Sequence, residues 1–164
     1  DTVAGGGLAW TLVKKASTTE GDDEVWTARA VGTLSGVVVT ATGSLATDGT
    51  QLTVLALAGA AGVGASTAAS GTSGGAAAVV TTTAAGSWVL GVGKYGGAGS
   101  SLTVASGQTV VHEVSDRSGG NDYWVQKTSA AVAASGTAVT LSDPAPAGDV
   151  WNLVAVEIQA TPAG

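Results

Sequence analysis

The 164-residue sequence contains no cysteine, no methionine and no phenylalanine, and it has a single histidine. Without cysteine the chain has no means of forming a disulfide framework, a zinc–thiolate site, an iron–sulfur centre or a thiolate nucleophile. Basic residues are also scarce, since six Lys and Arg stand against twelve Asp and Glu and give a formal net charge of −6. This charge would repel a phosphate backbone, so we expect no nucleic-acid partner.

Long apolar runs are missing as well, although 45% of the residues are hydrophobic. Gly, Ser or Thr interrupts the apolar stretches well before the about 20 residues that a membrane span requires, so we expect no membrane insertion. Charged residues make up 11% of the chain, and Gly, Ala, Ser and Thr take their place, as in many exported proteins. The length of 164 residues predicts one domain over 1–164, with linker-like ends at 1–7 and 160–164. The start at Asp1 rather than Met suggests a processed or excised segment. We expect it to be secreted or at the cell surface, as a mature module or as part of a longer chain.

Strand signals dominate the chain. The Ala-rich stretches are interrupted by Gly, each of which costs a helix about 1 kcal/mol. Short segments rich in Val, Thr and Trp and bounded by turn residues predict strands at 8–14, 24–31, 36–43, 51–58, 77–83, 87–93, 108–114, 122–128, 137–142 and 150–159. An Asp48-Gly49 turn would join the third and fourth of these. About ten short strands without helices predict an all-β fold, an antiparallel β-sandwich of jelly-roll type.

Two strings match functional motifs but lack the context that those motifs need. Residues 91–96 match the dinucleotide fingerprint G-x-G-x-x-G, and residues 71–75 match the nucleophile elbow G-x-S-x-G. Both motifs require a following helix, so we interpret the first as a strand end entering a loop and the second as a loop. His112 lies among valines and is interpreted as a strand residue. We therefore predict a non-catalytic protein, with a polysaccharide-active enzyme as the third alternative.

The aromatic residues point to sugar binding. Five Trp and two Tyr occur beside no Phe, and Trp and Tyr form the flat platforms on which sugar rings stack. Tyr95, in a Gly-rich segment, is the aromatic that we expect to be exposed. Tyr123 and Trp124 are adjacent on a strand, so one should face the core and the other should face outward. The remaining aromatics lie in strands among Leu and Val and are interpreted as core: Trp10, Trp26, Trp88 and Trp151.

Residues 111–127 contain two predicted strands and a polar hairpin loop. The loop offers hydrogen-bonding candidates for a ligand, namely Asp116, Arg117, Asn121 and Asp122. Carboxylates are also ligands for calcium, a hard cation, although neither acidic segment has the EF-hand spacing. The candidates for a structural calcium ion are Glu20, Asp22, Asp23, Asp116 and Asp122, and no other cofactor is expected.

Several ordered blocks resemble a module of large exported actinobacterial proteins, where it stands beside immunoglobulin-like, fibronectin-like and carbohydrate-active domains. These blocks are EVWTARA (24–30), LTVLALAGAAGVGAS (52–66), TTTAAGSWVLGVG (81–93), QTVVHE (108–113), DYWVQ (122–126) and DVWNLVAVEI (149–158). The resemblance covers nearly the whole chain and implies a β-sandwich accessory module in an extracellular setting, without an established activity or functional residues. This chain has Lys-Tyr-Gly-Gly at 94–97, where similar modules often have an acidic-aromatic segment. If that loop binds ligand, the difference implies that the specificity is altered or lost.

The first functional expectation is a non-catalytic extracellular module that binds a glycan or another cell-surface polymer. Tyr95 and one of Tyr123 and Trp124 would stack on the sugar, and the hairpin loop would supply hydrogen bonds. The alternative is a structural subunit, or a decoration or adhesion domain, of a surface filament or virion. In that case unpaired sheet edges would serve self-association.

Overall fold

The computed structural model describes residues 1–44, 50–97, 101–116 and 119–161. These residues form eleven strands and no helix, so none of their segments is a helix that could cross a membrane. The predicted antiparallel all-β fold is confirmed. The strands are β1 (Thr2–Gly5), β2 (Thr11–Thr18), β3 (Gly21–Thr27), β4 (Val39–Thr42), β5 (Ala60–Gly71), β6 (Ala76–Thr81), β7 (Trp88–Gly96), β8 (Gln108–Asp116), β9 (Asn121–Thr128), β10 (Ala138–Asp143) and β11 (Val150–Ala160).

A five-stranded sheet with the order β5-β11-β7-β9-β8 forms the centre of the fold, and every neighbouring pair in it is antiparallel. Because side chains alternate between the faces of a strand, the sheet builds one core on each side. One face packs against the β6–β10 pair around Tyr95, Trp124, Leu141 and Leu153. The other face packs against the β2–β3 hairpin through a smaller cluster that includes Val154. The layers are therefore those of a β-sandwich with packed elements on both faces of the central sheet.

Glycines in β7 make room for large neighbouring side chains. A Cβ atom at Gly91 would lie 2.7 Å from Leu141 Cδ1, and one at Gly93 would overlap the indole ring of Trp124. The glycine pattern at 91–96 thus serves packing within a strand. The sequence predicted a strand end at 93 followed by a loop, but β7 continues to Gly96.

The predicted strand at 51–58 is wrong. Residues 51–58 belong to no strand, and the strand lies instead in the Ala-, Gly- and Ser-rich segment of β5. Small residues are required there because β11 places large groups against β5. A Cβ at Gly64 would collide with the Glu157 carboxylate, and one at Gly71 would lie 2.7 Å from the Trp151 indole.

The amino-terminal region also differs from expectation. The predicted strand at 8–14 is displaced to β2, and β1 lies inside the predicted linker 1–7, where it pairs with β4. The predicted turn at Asp48-Gly49 falls outside the described residues. At the other end, the last residue of β11 lies at the border of the predicted linker 160–164.

Candidate functional site

Tyr95 is fully buried, so the prediction that it is exposed is wrong. Its position on β7 points it into the layer between the central sheet and the β6–β10 pair. The ring stacks on Trp124 with centroids 4.7 Å apart, and the hydroxyl accepts a hydrogen bond from Ala76 N (2.9 Å) and donates one to Asp143 O (3.3 Å). Burial raises the pKa of Tyr95 to about 12. A side chain in this position contributes to the core and offers no platform to a sugar.

Of the adjacent pair on β9, Trp124 is the buried member at 2% exposure, and Tyr123 is half-buried on the opposite face. The hairpin polar groups mostly bond to one another. Asp122 is buried and accepts a hydrogen bond from the Ser115 hydroxyl. The half-buried Asp116 accepts one from Gly119 N at 3.1 Å, and Asn121 donates to Gly119 O at 2.9 Å. Arg117 lies outside the described residues. The predicted ligand-binding surface is therefore reduced to the Tyr123 ring and the turn beside it.

The calcium candidates do not come together as one set. Among the described residues, the carboxylates that converge are Asp1, Asp22 and Glu24, whose oxygens lie within 4.8 Å of one another. Lys15 Nζ lies 2.5 Å from Asp22 and 3.0 Å from Glu24, so an ammonium group already pairs with two of these three carboxylates. The other candidates lie elsewhere: Glu20 is exposed, Asp23 is buried, and Asp116 and Asp122 belong to the β8–β9 hairpin.

Glu157 is a buried carboxylate with a structural role. It accepts hydrogen bonds from the backbone amides of Ala65, Thr83 and Ala84 at 2.9–3.0 Å. The hydroxyls of Thr83 and Ser87 add bonds of 2.7 and 2.6 Å. Burial alone would raise the pKa of Glu157, but the bonds from Ser87, Thr83 and Ala65 outweigh it and hold the pKa at about 2. The carboxylate ties β5, β11 and the residues after β6 together.

Asp143 is a second buried carboxylate, but unlike Glu157 it has few hydrogen-bond donors around it. Its Oδ2 atom accepts a hydrogen bond from Gln126 Nε2 at 3.2 Å, while Oδ1 and Gln126 Oε1 have no partner in the described part of the chain. Burial raises the pKa of Asp143 to about 7, and the side chains of Gln126 and Trp124, which favour the charged carboxylate, offset this only in part. A proton on Oδ1 would supply the donor that Gln126 Oε1 lacks.

A third polar group lies on the other face of the sheet, beneath the β2–β3 hairpin. Lys94 is 5% exposed and stands opposite Tyr123 on one side and Asn152 on the other. Its Nζ atom donates to the backbone oxygen of Glu20 and lies 5.8 Å from the centroid of the Tyr123 ring. The side chain thus spans the gap between the central sheet and the start of β3.

Asn152 and Asp23 complete this group. Asn152 is 1% exposed, and its Nδ2 atom donates to Gly21 O at 2.8 Å. Asp23 is 5% exposed, and burial raises its pKa well above the usual range although the charge of Lys94 opposes the shift. Asn152 Oδ1 and Asp23 Oδ2 have no hydrogen-bond partner within the described ranges. Burying such atoms without hydrogen-bond partners costs free energy, so their burial requires a chemical explanation.

Sequence reasoning missed this Lys94–Asp23–Asn152 centre. It considered Asp23 as a calcium candidate, placed Lys94 in the loop after residue 93, and gave Asn152 no role within the predicted strand 150–159. The available signal was Asn152 itself, an amide inside the otherwise apolar run WNLVAV. A polar side chain at a position that must be buried requires a partner elsewhere in the fold.

The segments 28–38 and 50–58, which we name the apolar arm, expose large hydrophobic side chains. Val31 is fully exposed, and Val38 is 75% exposed. No backbone hydrogen bond to residues 50–58 occurs within the described part of the chain. Six further members are 40–52% exposed: Leu34, Val37, Leu52, Val54, Leu55 and Leu57.

Comparisons of this chain with protein-family models, with curated proteins and with solved structures find no match. The resemblance to an actinobacterial module therefore remains an expectation from sequence blocks.

Proposed function

We propose that the protein is a non-catalytic structural module that assembles with further copies of itself through the apolar arm. The observation that carries this proposal is the exposure of eight large apolar side chains in two short segments. Summed over the two segments, these side chains expose on the order of 700 Å² per chain, and extensive exposed apolar surface is typical of an interaction site. A standard interface buries about 800 Å² per partner, so the arm is large enough to form one.

The pattern of residues 52–57 supports strand pairing as the mode of contact. In an extended conformation Leu52 and Val54 would lie on one face and Leu55 and Leu57 on the other, so the segment would be apolar on both faces. Such a pattern is typical of a strand that is covered on both sides. A second chain that offers a sheet edge would pair the free backbone groups and cover the side chains.

Charge favours a second copy as the partner. The whole chain carries a formal charge of −6, yet Arg29 is the one charged residue in segments 28–38 and 50–58. The arm itself therefore adds no like-charge repulsion to a contact with another copy. Residues 56–58 of the arm also line a groove of about 400 Å³, together with Trp88, Leu90, Lys127 and Ile158. The arm and the groove thus form one continuous surface, which two copies can cover by contacting each other through the same region.

Sedimentation velocity over a range of concentrations tests the proposal. We expect the wild-type protein to grow in mass with concentration, and the triple variant Leu52→Ser/Val54→Ser/Leu57→Ser to remain monomeric. The matched control is Val79→Ser/Val111→Ser, which removes apolar side chains that are 53% and 38% exposed outside the arm. The control should associate like the wild type. A wild-type protein that stays monomeric at every concentration contradicts self-assembly, and another protein would then have to cover the arm.

Binding of a glycan or surface polymer in an extracellular setting is the second candidate function. Tyr123 favours it, since this half-buried ring lies on the same face of β9 as Asn121 of the hairpin. A single shallow platform would bind weakly, with a Kd of about 10–1000 µM. Affinity electrophoresis in gels containing polysaccharides should show retardation that Tyr123→Ala abolishes. Equal mobility of both proteins in every gel contradicts this candidate.

A further inference from the structure

Lys94, Asp23 and Asn152 bring an amine, a carboxyl group and a primary amide into one enclosed space. Each is at most 5% exposed. Lys94 and Asn152 are directly opposite in the β7–β11 ladder. Opposite Cβ atoms of an antiparallel pair are about 4.5–5.5 Å apart, so the two side chains leave the sheet from neighbouring points on the same face.

The two side chains also reach adjacent residues at the start of the β2–β3 hairpin's second strand. Lys94 Nζ donates to Glu20 O and lies 2.9 Å from the point that a Cβ at Gly21 would occupy. Asn152 Nδ2 donates to Gly21 O at 2.8 Å. Gly21 has a φ of +127°, and its missing side chain leaves the space that Nζ fills. The amine of Lys94 and the carboxamide of Asn152 therefore bind the carbonyl groups of two adjacent residues.

Lys94 has no carboxylate at ion-pair distance in the described part of the chain. Among the described residues it makes no ion pair, although a buried ammonium group is costly to leave without one. The charges of Asp23 and Lys94 interact, and Asp23 Oδ2 accepts no hydrogen bond from the described residues. A reaction that removes the charge of Lys94 would relieve this cost.

We propose that Lys94 and Asn152 become joined by an intramolecular amide bond between Nζ and Cγ, with Asp23 as the acid–base group. In the first step a proton moves from Lys94 Nζ to the Asp23 carboxylate, which removes two charges from an enclosed site. The neutral amine then attacks Asn152 Cγ, and the carbonyl electron pair moves to Oδ1 as the Nζ–Cγ bond forms.

The second half of the reaction expels ammonia. Asp23 gives its proton to Nδ2 and takes one from Nζ, and the Cγ–Nδ2 bond breaks as the carbonyl reforms. The lysine amine and the asparagine amide have then become one secondary amide and one ammonia, without an oxidant or other co-reactant. Exclusion of water from this centre favours attack by the amine over hydrolysis.

The product also accounts for the two unpaired oxygens. After the reaction Asp23 retains a proton, in keeping with the burial that raises its pKa. Protonated Asp23 is a donor and the new amide oxygen, formerly Asn152 Oδ1, is an acceptor, so each group becomes the partner that the other lacks.

The intact mass of the full chain under denaturing conditions tests the proposal. We expect the wild-type mass to fall below the sequence mass by one ammonia, about 17 Da. The variants Lys94→Arg and Asp23→Asn both keep Asn152 and should show their full sequence masses. A full wild-type mass overturns the proposal whether or not the variants fold.

Peptide fragmentation supplies the decisive control. Asn152 could also lose ammonia by closing on its own backbone, and Lys94→Arg would retain that loss. The cross-link instead yields a branched peptide that contains residues 94 and 152, and it blocks trypsin after Lys94. A linear peptide that carries the whole mass loss at Asn152 contradicts the cross-link.

Discussion

The indole ring of Trp124 lies against the backbone of Gly93, its partner in the β7–β9 ladder, in space that any side chain at position 93 would occupy. The ring is only 2% exposed and stacks on Tyr95 on its other side. It therefore cannot move without disturbing the core around it. This contact explains why a strand in the middle of the sheet contains a glycine, which by itself weakens a strand.

Substitution of Gly93 by Ala should destabilise the protein by about 1–3 kcal/mol, because the added methyl group overpacks a filled core. Urea unfolding followed by Trp fluorescence measures the change. Gly148→Ala is the matched control, since a Cβ at Gly148 meets nothing within 4 Å. Equal urea midpoints for the two variants would contradict this prediction, because the Trp124 ring would then have moved to accommodate the added methyl group.

Replacement of Glu157 by Gln should lower the free energy of unfolding by about 3 kcal/mol at pH 7, since several charge-assisted hydrogen bonds are weakened at once. The pKa of Glu157 is about 2, below the usual 4.5, so its contribution is complete above about pH 4.5 and disappears as the pH falls towards 2. Urea unfolding at pH 7 and pH 3 should give a smaller gap between wild type and variant at pH 3. The exposed Glu113→Gln serves as a control, and a gap that does not change with pH would contradict this assignment.

Asp143 should have the opposite pH dependence. Its pKa is raised from 3.8 to about 7, so the stability that it contributes is greatest below pH 3.8 and is lost as the pH rises through 7. Asn resembles the protonated acid and should pair with both polar atoms of Gln126. We expect Asp143→Asn to be more stable than wild type at pH 8 by about 1–3 kcal/mol, with little difference at pH 4. Thermal melts at the two pH values measure this, and a variant that is less stable at pH 8 would refute it.

Assembly through the apolar arm should resist salt. The arm contains one charged residue, so screening has little to weaken, and salt that is excluded from apolar surface favours burial. Sedimentation at about 0.1 M and about 1 M NaCl should show equal or stronger association at the higher concentration. Dissociation at high salt would mean that charged groups elsewhere hold the copies together.

Local sequence patterns predicted the strands that contain β-branched and aromatic residues, from β6 to β11, because these residues favour extended structure. They failed at β5, whose Ala, Gly and Ser residues are small because Trp151 and Glu157 need the space. That requirement lies on a strand about 80–90 residues away, which no local propensity can register.

The buried polar centre was hidden for the same reason. Asp23, Lys94 and Asn152 are distant in sequence and meet only through the β7–β11 register and the packing of the β2–β3 hairpin. Tyr95 was misjudged because its Gly-rich surroundings suggested a loop. The glycines there belong to a strand, and alternation along that strand turns the ring inward.

The position of β11 has a consequence for synthesis. This strand pairs with β5 on one side and β7 on the other, and its alternate residues belong to both cores. Residues 1–149 therefore leave the ribosome before the central sheet can close. Until β11 inserts between β5 and β7, the nascent chain exposes the strand edges that β11 will cover. During this interval, rapid folding or chaperone binding protects those edges from aggregation.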